Sequence, residues 1–170
     1  MDELFNTDNL MGILRDLADD VRQGYIDSLE RNDRRATGNL IDSIHTTIEV
    51  RGTTYIVWME MADYWRYIEE GTKAHWPPRK AILSWIKAKP IIPYPDSRGR
   101  IPKPETLAFL ISRAMAGKSP NQPFLKNPQG GTLGTHDFAK AKAAVLPDYE
   151  ERLREALHRD TLAYLEKILP

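Results

Sequence analysis

The sequence predicts an α+β fold with long N- and C-terminal helices packed on a small antiparallel β-sheet. The sheet is a central hairpin, and short helices and Pro/Gly-rich loops complete the chain. Two observations carry this prediction. Apolar residues recur every three or four positions near both ends, which is typical of helices buried along one face. Between them, residues 44–51 alternate in the manner of a half-buried strand, and residues 54–61 are predicted to be the strand that returns beside it.

The first long helix is predicted over residues 8–31. Thr7 or Asp8 can cap its N-terminus. Gly12 and Gly24 each weaken a helix interior by about 1 kcal/mol relative to alanine, so we expect a neighbour to approach closely at both. The apolar positions follow helical spacing: Leu10, Leu14, Leu17, Val21, Tyr25 and Leu29.

A hairpin follows, with Ile44–Val50 returning through Gly52 into Thr54–Met61. A short helical turn over 39–41, capped by Thr37, precedes it. Two strands alone are marginal in water, so the two long helices are expected to cover them.

The segment after the hairpin predicts a structural corner. Gly71 is the type of residue needed where the backbone φ turns positive, and a short helix leads into it. We expect Tyr67, Glu69, Gly71 and Thr72 to shape this corner rather than to form a catalytic site.

Residues 72–78 are predicted to form a stiff arm that carries His75 and Trp76. Pro77 and Pro78 remove two amide donors and restrict the backbone. Large rings on a rigid arm suit an interface, although the same rings could close the domain's own core. We expect Trp76 to meet a partner, whereas Trp58, in a strand, and Trp85, on a helix, serve the core.

Two further short helices are predicted over 79–89, with Ile82, Trp85 and Ile86 on one side, and over 104–117. The proline-rich stretch 91–104 between them is either a small second hairpin or an exposed loop.

Residues 118–135 are predicted to be a flexible loop because they hold three prolines and three glycines. The last helix begins near Thr135 or Pro147 and is assigned to 147–168. Its apolar face is predicted to consist of Tyr149, Leu153, Ala156, Leu157, Tyr164 and Ile168.

Composition narrows the function classes. At 170 residues, with 41% hydrophobic and 28% charged residues, the chain is predicted to form one globular domain, 1–170. Twenty-four basic and twenty-four acidic residues cancel, which argues against long-range attraction to nucleic acid or an anionic membrane. There is no cysteine, and no apolar run approaches the ~20 residues that span a bilayer.

No pattern in the sequence specifies an active site, a metal site or a cofactor. Glu69 and Glu70 are adjacent, so on a helix they point about 100° apart instead of facing one substrate. The glycines at 130–134 lack the Gly-Lys-Ser/Thr ending of a phosphate loop. The four histidines are scattered, at His45, His75, His136 and His158.

Basic residues gather in the segment 73–103, where Trp76 and Trp85 are interleaved. This segment could bind a nucleic-acid backbone, or it could be the polar rim of a protein contact. The candidate interface residues are His75, Trp76, Pro77, Pro78, Arg98 and Arg100. The gathered basic residues are Lys73, Arg79, Lys80, Lys87, Lys89, Arg98, Arg100 and Lys103.

The order of these features resembles the neck or tail-completion proteins of long-tailed bacteriophages, over about residues 8–165. The sequence departs from the family pattern between Asn127 and Val145, where a Gly-rich loop and an Ala-Lys-rich stretch are added. The resemblance rests on Thr37-Gly38-Asn39-Leu40-x-x-Ser43-Ile44, Tyr67-x-Glu69-x-Gly71-Thr72, His75-Trp76-Pro77-Pro78 and Pro123-Phe124-Leu125.

This resemblance implies a non-enzymatic virion component, assembled in the host cytoplasm, that joins the head connector to the tail. It implies a ring of about 6 or 12 copies around the DNA channel. The expected partners are therefore the chain itself and adjacent neck, head-closure or tail-terminator proteins. DNA only passes through the channel, and no membrane is involved. The alternative is a small nucleic-acid-binding or nucleic-acid-processing protein that uses segment 73–103.

Overall fold

The computed structural model describes residues 7–32, 38–89, 91, 93–118 and 129–169. Its contacts divide the chain into two compact units. Unit 1 contains Met1–Arg34, Asn39–Ala62 and Asp137–Pro170, and unit 2 contains Arg35–Gly38 and Asp63–His136. The prediction that 1–170 forms one domain stays a prediction. Thr37 and the Pro123-Phe124-Leu125 motif lie outside the described residues.

Unit 1 is built on two long helices, α1 (Asp8–Arg31) and α6 (Asp137–Ile168). Helix α1 has the predicted bounds, and all six of its predicted apolar positions are buried. Leu17 and Val21 of α1 form a core cluster with Tyr149 of α6, and Met59 packs against that cluster. The α+β prediction, with long terminal helices on a small antiparallel sheet, is confirmed.

Helix α6 begins ten residues before the predicted start at Pro147, which lies inside the helix. Packing against α1 explains the difference, because tertiary contacts outweigh the missing amide of one proline. Phe138 meets Tyr25 edge to face, with ring centroids 5.5 Å apart. Asp137 accepts hydrogen bonds from the side chains of Ser28 and Asn32, each at 3.0 Å.

The sheet of unit 1 is the predicted hairpin. After α2 (Asn39–Ser43), β1 (His45–Arg51) pairs antiparallel with β2 (Thr54–Glu60), in the register Thr46↔Met59 and Ile48↔Val57. Met59 lies on the face that packs on the helices. Trp58 lies on the opposite face with Thr47 and Glu49, because side chains alternate along a strand.

Unit 2 contains short elements. They are α3 (Trp65–Glu69), β3 (Gly71–Thr72), α4 (Arg79–Ala88), α5 (Pro104–Met115) and β4 (Thr132–Leu133). Helices α4 and α5 have close to their predicted bounds and pack together. Gly117, with φ +67°, ends α5, where the Lys118 amide donates to the Arg113 carbonyl at 3.1 Å.

The stretch 91–104 forms a loop, with no strand among its described residues. Asp96 organises a turn in it. The Asp96 carboxylate accepts from the amides of Arg98 and Arg100, at 2.8 and 2.9 Å, and from the Arg100 guanidinium. The two amides, chiefly that of Arg100, hold the pKa of Asp96 below its ordinary value.

Candidate functional site: a glycine-locked corner and its aromatic arm

The corner at residues 67–72 is built around Gly71. Its φ is +81°, as the sequence predicts. A Cβ at this position would collide with the carbonyl oxygen of Thr132 and lie only 2.6 Å from the amide nitrogen of Gly134. A residue with a side chain therefore meets both backbone strain and a steric clash here.

Residues 132–134, which lie against Gly71, belong to the stretch 118–135 that is predicted from the sequence to be a flexible loop. Within its described part, Thr132–Leu133 forms β4 and pairs antiparallel with Gly71–Thr72. The loop prediction is wrong for these two residues. The Thr132 amide also donates to the Thr72 hydroxyl at 3.1 Å. The glycines at 130–134 let two backbones approach where Cβ atoms would not fit.

The end of α3 is closed by the same segment. The amides of Thr135 and His136 donate to the carbonyls of Ile68 and Glu69, both at 3.1 Å. Helix carbonyls without an intrahelical partner are satisfied in this way.

The two predicted corner side chains on α3 face different surroundings. Glu69 is buried, with 7% of its surface exposed, whereas Tyr67 is 64% exposed. The contacts at Gly71 and Thr72 are those of a structural corner. Tyr67 lies outside the packed part of it.

The arm leaves the corner and is fixed at a second point. The His75 amide donates to the Met115 carbonyl at 3.1 Å, and that carbonyl also accepts from the Gly131 amide at 2.7 Å. Pro77 is buried, whereas His75 and Pro78 are exposed. The arm is therefore bonded to the end of α5 just before Trp76, at the same carbonyl that holds the glycine segment.

Trp76 and two neighbours lie in contact on unit 2 and form what we call the platform: Trp76, Arg79 and Phe109. The Trp76 and Phe109 ring centroids are 6.1 Å apart. The Arg79 guanidinium lies over Phe109, with its central carbon 4.7 Å from the ring centroid. Trp76 keeps 47% of its surface exposed, so a partner could cover it.

Phe109 is not among the site residues that the sequence predicts. The apolar positions by which the sequence predicts α5 are Leu107, Leu110, Ile111 and Met115, and Phe109 lies about 200° around the helix from Leu107. The signal was an aromatic residue on the polar side of an amphipathic helix.

The core assignment of the other two tryptophans is wrong. Trp58 is 45% exposed and Trp85 is 39% exposed. The Trp58 indole donates to Glu49 at 2.9 Å on the open face of the hairpin. Bonds from Arg51 and then from Trp58 lower the pKa of Glu49. A strand position does not bury a side chain when only one face of the sheet is covered.

The predicted interface residues fall into two groups, both in unit 2. His75, Trp76, Pro77 and Pro78 lie on the arm. Arg98 and Arg100 lie in the Asp96 turn, where the Arg100 guanidinium is engaged by Asp96 at 2.9 Å. Arg98 and Arg100 are exposed.

Among the described residues, no group of three or more histidine, aspartate or glutamate side chains could hold a metal ion. No helix in the described part of the chain is long and apolar enough to cross a membrane. Comparison with protein-family models, curated proteins and solved structures gives no match.

Proposed function

We propose that this chain is a structural virion protein of a tailed phage or prophage. It acts as a neck or tail-completion component that joins the head connector to the tail, as a ring around the DNA channel. The observation that carries the proposal is the half-exposed Trp76–Phe109–Arg79 platform on an arm locked by the glycine corner. The resemblance in the sequence supports the same conclusion.

The physical argument concerns rigidity and exposure. A half-exposed indole leaves ring surface for a partner to cover, and aromatic residues are enriched at the centres of protein interfaces. An arm that is already fixed loses little conformational entropy on binding. Trp76, held by the bonds at His75 and beside buried Pro77, meets both conditions.

The chain is in this proposal a non-enzymatic subunit that contacts copies of itself and adjacent neck, head-closure or tail-terminator proteins. A ring requires a heterologous interface, in which one surface of a subunit meets a different surface of its neighbour. The platform supplies one such surface. Passing DNA occupies the channel, and the assembled protein resides in the virion.

A second candidate function is nucleic-acid binding through segment 73–103. It is favoured by eight basic residues against one acidic residue in that segment, with exposed tryptophans among them. Binding of this kind would weaken steeply as salt is raised. Salt-sensitive retention of short duplex or single-stranded DNA would support this candidate over the first.

Genetic complementation tests the proposed function. Deleting the gene from its phage or prophage should leave DNA-filled heads and separate tails in the lysate, seen by electron microscopy. Wild-type protein should restore joined particles. Trp76→Ala should fold normally and restore at least ~10-fold fewer, because a truncated interface anchor typically costs more than about 1 kcal/mol.

Trp58→Ala is the matched control, because Trp58 is equally exposed but lies on the hairpin. It should restore joined particles as wild type does. Normal particles from the deletion strain would refute the proposed function.

A further inference from the structure

The formal charge of zero hides a strong separation between the two units. Unit 2 carries 13 basic and 5 acidic residues, a formal charge of +8. Unit 1 carries 11 basic and 19 acidic residues, a formal charge of −8. Each copy of the chain therefore offers one strongly basic and one strongly acidic part.

Five of the 19 acidic residues of unit 1 share one face of a helix. Five exposed acidic residues of α1 fall within roughly 100° of its circumference, opposite the buried face. Arg15, Arg22 and Arg31 lie outside this arc. From α6, Arg152 pairs with Asp16 at 3.0 Å and the Tyr149 hydroxyl donates to Asp20, so α6 already engages two of the five carboxylates. We call this face the acidic stripe: Asp16, Asp19, Asp20, Asp27 and Glu30.

Four basic residues of unit 2 lie on the arm and on α4, the segments that supply Trp76 and Arg79 of the platform. Arg79 is part of it, and Lys80 and Lys87 lie seven positions apart on α4, hence on nearly the same exposed face. Exposed Lys73 precedes Trp76 on the arm. We call Arg79, Lys73, Lys80 and Lys87 the cationic rim of the platform. Positive charge on the segments that carry an exposed aromatic ring is suited to an anionic protein surface.

We propose that copies of this chain bind head to tail, with the platform and its cationic rim on one copy against the acidic stripe of the next. This inference rests on the proposed function, because it requires that the chain assembles with itself. It adds which two surfaces meet. Two platforms repel each other, as do two stripes, so the favoured contact joins unlike surfaces. Such contacts propagate until a ring closes.

A second copy fits these observations better than a nucleic acid does. The opposite charges are equal in size and lie on one chain, so every copy brings the complement of its own platform. The acidic stripe would repel a phosphate backbone. Attraction between exposed charges mainly speeds association and fixes the pairing, and salt screens it.

Sedimentation velocity on the full chain tests this inference, at about 0.05 M and about 0.5 M salt. Wild type should self-associate at low salt. High salt should raise the Kd of self-association at least ~10-fold. Lys80→Glu with Lys87→Glu, and separately Asp19→Lys with Asp27→Lys, should each weaken self-association at least ~10-fold. Mixing the two double variants should restore association, because each retains one intact surface.

The control variants are Lys142→Glu and Glu155→Lys, which reverse a charge as each substitution of the double variants does, at exposed positions of α6. Both should associate as wild type does. Lys80→Gln with Lys87→Gln repeats the test with a smaller perturbation, and circular dichroism checks the folding of every variant.

Each outcome decides the inference. Rings that form equally well in high salt and in both double variants would overturn it and leave the proposed function standing. No association of wild type at any salt would overturn both. Restoration on mixing is the result that only unlike, complementary surfaces give.

Discussion

Two glycines show how one residue type serves different needs. Gly71 has φ +81° and is enclosed by the β4 backbone. Gly12 lies in α1, and no atom outside the local helix backbone would come within 4 Å of a Cβ there. The predicted close neighbour exists at Gly24, where a Cβ would lie 3.5 Å from that of Ala141, but not at Gly12.

Alanine at Gly71 and alanine at Gly12 should therefore change the stability in opposite directions. Gly71→Ala should lower the free energy of unfolding by more than ~1 kcal/mol, through left-handed backbone strain and the clash with β4. Gly12→Ala should raise it by about 0.5–1 kcal/mol, because alanine loses less backbone entropy in a helix.

Urea unfolding of both variants against wild type measures the difference. Equal stability of Gly71→Ala and wild type would show that the corner is not locked by this glycine.

The two long helices illustrate how far the sequence predicts an element. The bounds of α1 and its buried face follow from the helical period. The predicted capping bond does not form: Thr7 precedes the helix, but its side chain makes no capping hydrogen bond. Asp160 of α6 accepts instead from the Leu10 amide at 2.9 Å and from the Asn9 side chain at 2.7 Å. That contact spans about 150 positions, so only the folded chain reveals it.

The sequence does contain an indication that Asp160 has a specific partner. Leu153, Ala156, Asp160 and Tyr164 lie on one face of α6, so Asp160 is a charged residue within the apolar stripe. Leu157, assigned to that face from the sequence, is exposed instead, as is Ile168. A buried carboxylate on an apolar stripe indicates a specific partner.

Removing the Asp160 carboxylate should weaken the packing of α1 on α6. Asp160→Ala should cost about 1–2 kcal/mol, because it leaves the first amides of α1 without their acceptor. Asp148→Ala, an exposed position on the same helix, should stay within about 0.5 kcal/mol of wild type. Thermal unfolding monitored by circular dichroism compares the two, and equal melting temperatures would contradict the capping role.

The sequence predicts the local properties of the corner and the platform but not their long-range contacts. Positive φ at Gly71 and the stiffness of the arm are local properties, and residue type indicates them. The pairing with β4 and the contact of Phe109 with Trp76 join segments that are distant in sequence. Trp58 and Trp85 were wrongly predicted to be buried. Their positions in a strand and on the apolar side of a helix do not show which face the rest of the chain covers.

The two units of the molecule differ in charge. Unit 1 has a formal charge of −8 and includes the acidic stripe of α1, and unit 2 has a formal charge of +8 and includes the platform. Net neutrality therefore does not exclude strong electrostatic association, because opposite charges are held on separate surfaces. This separation is visible only after the structure divides the chain into its units.

The central claim is that the chain assembles as a ring around a channel. Electron microscopy of the purified full-length protein at low salt tests it most directly, with image averages taken along the symmetry axis. The account predicts closed rings with a central opening wide enough for duplex DNA. Monomers or compact particles without a channel, at every protein concentration and salt, would contradict it.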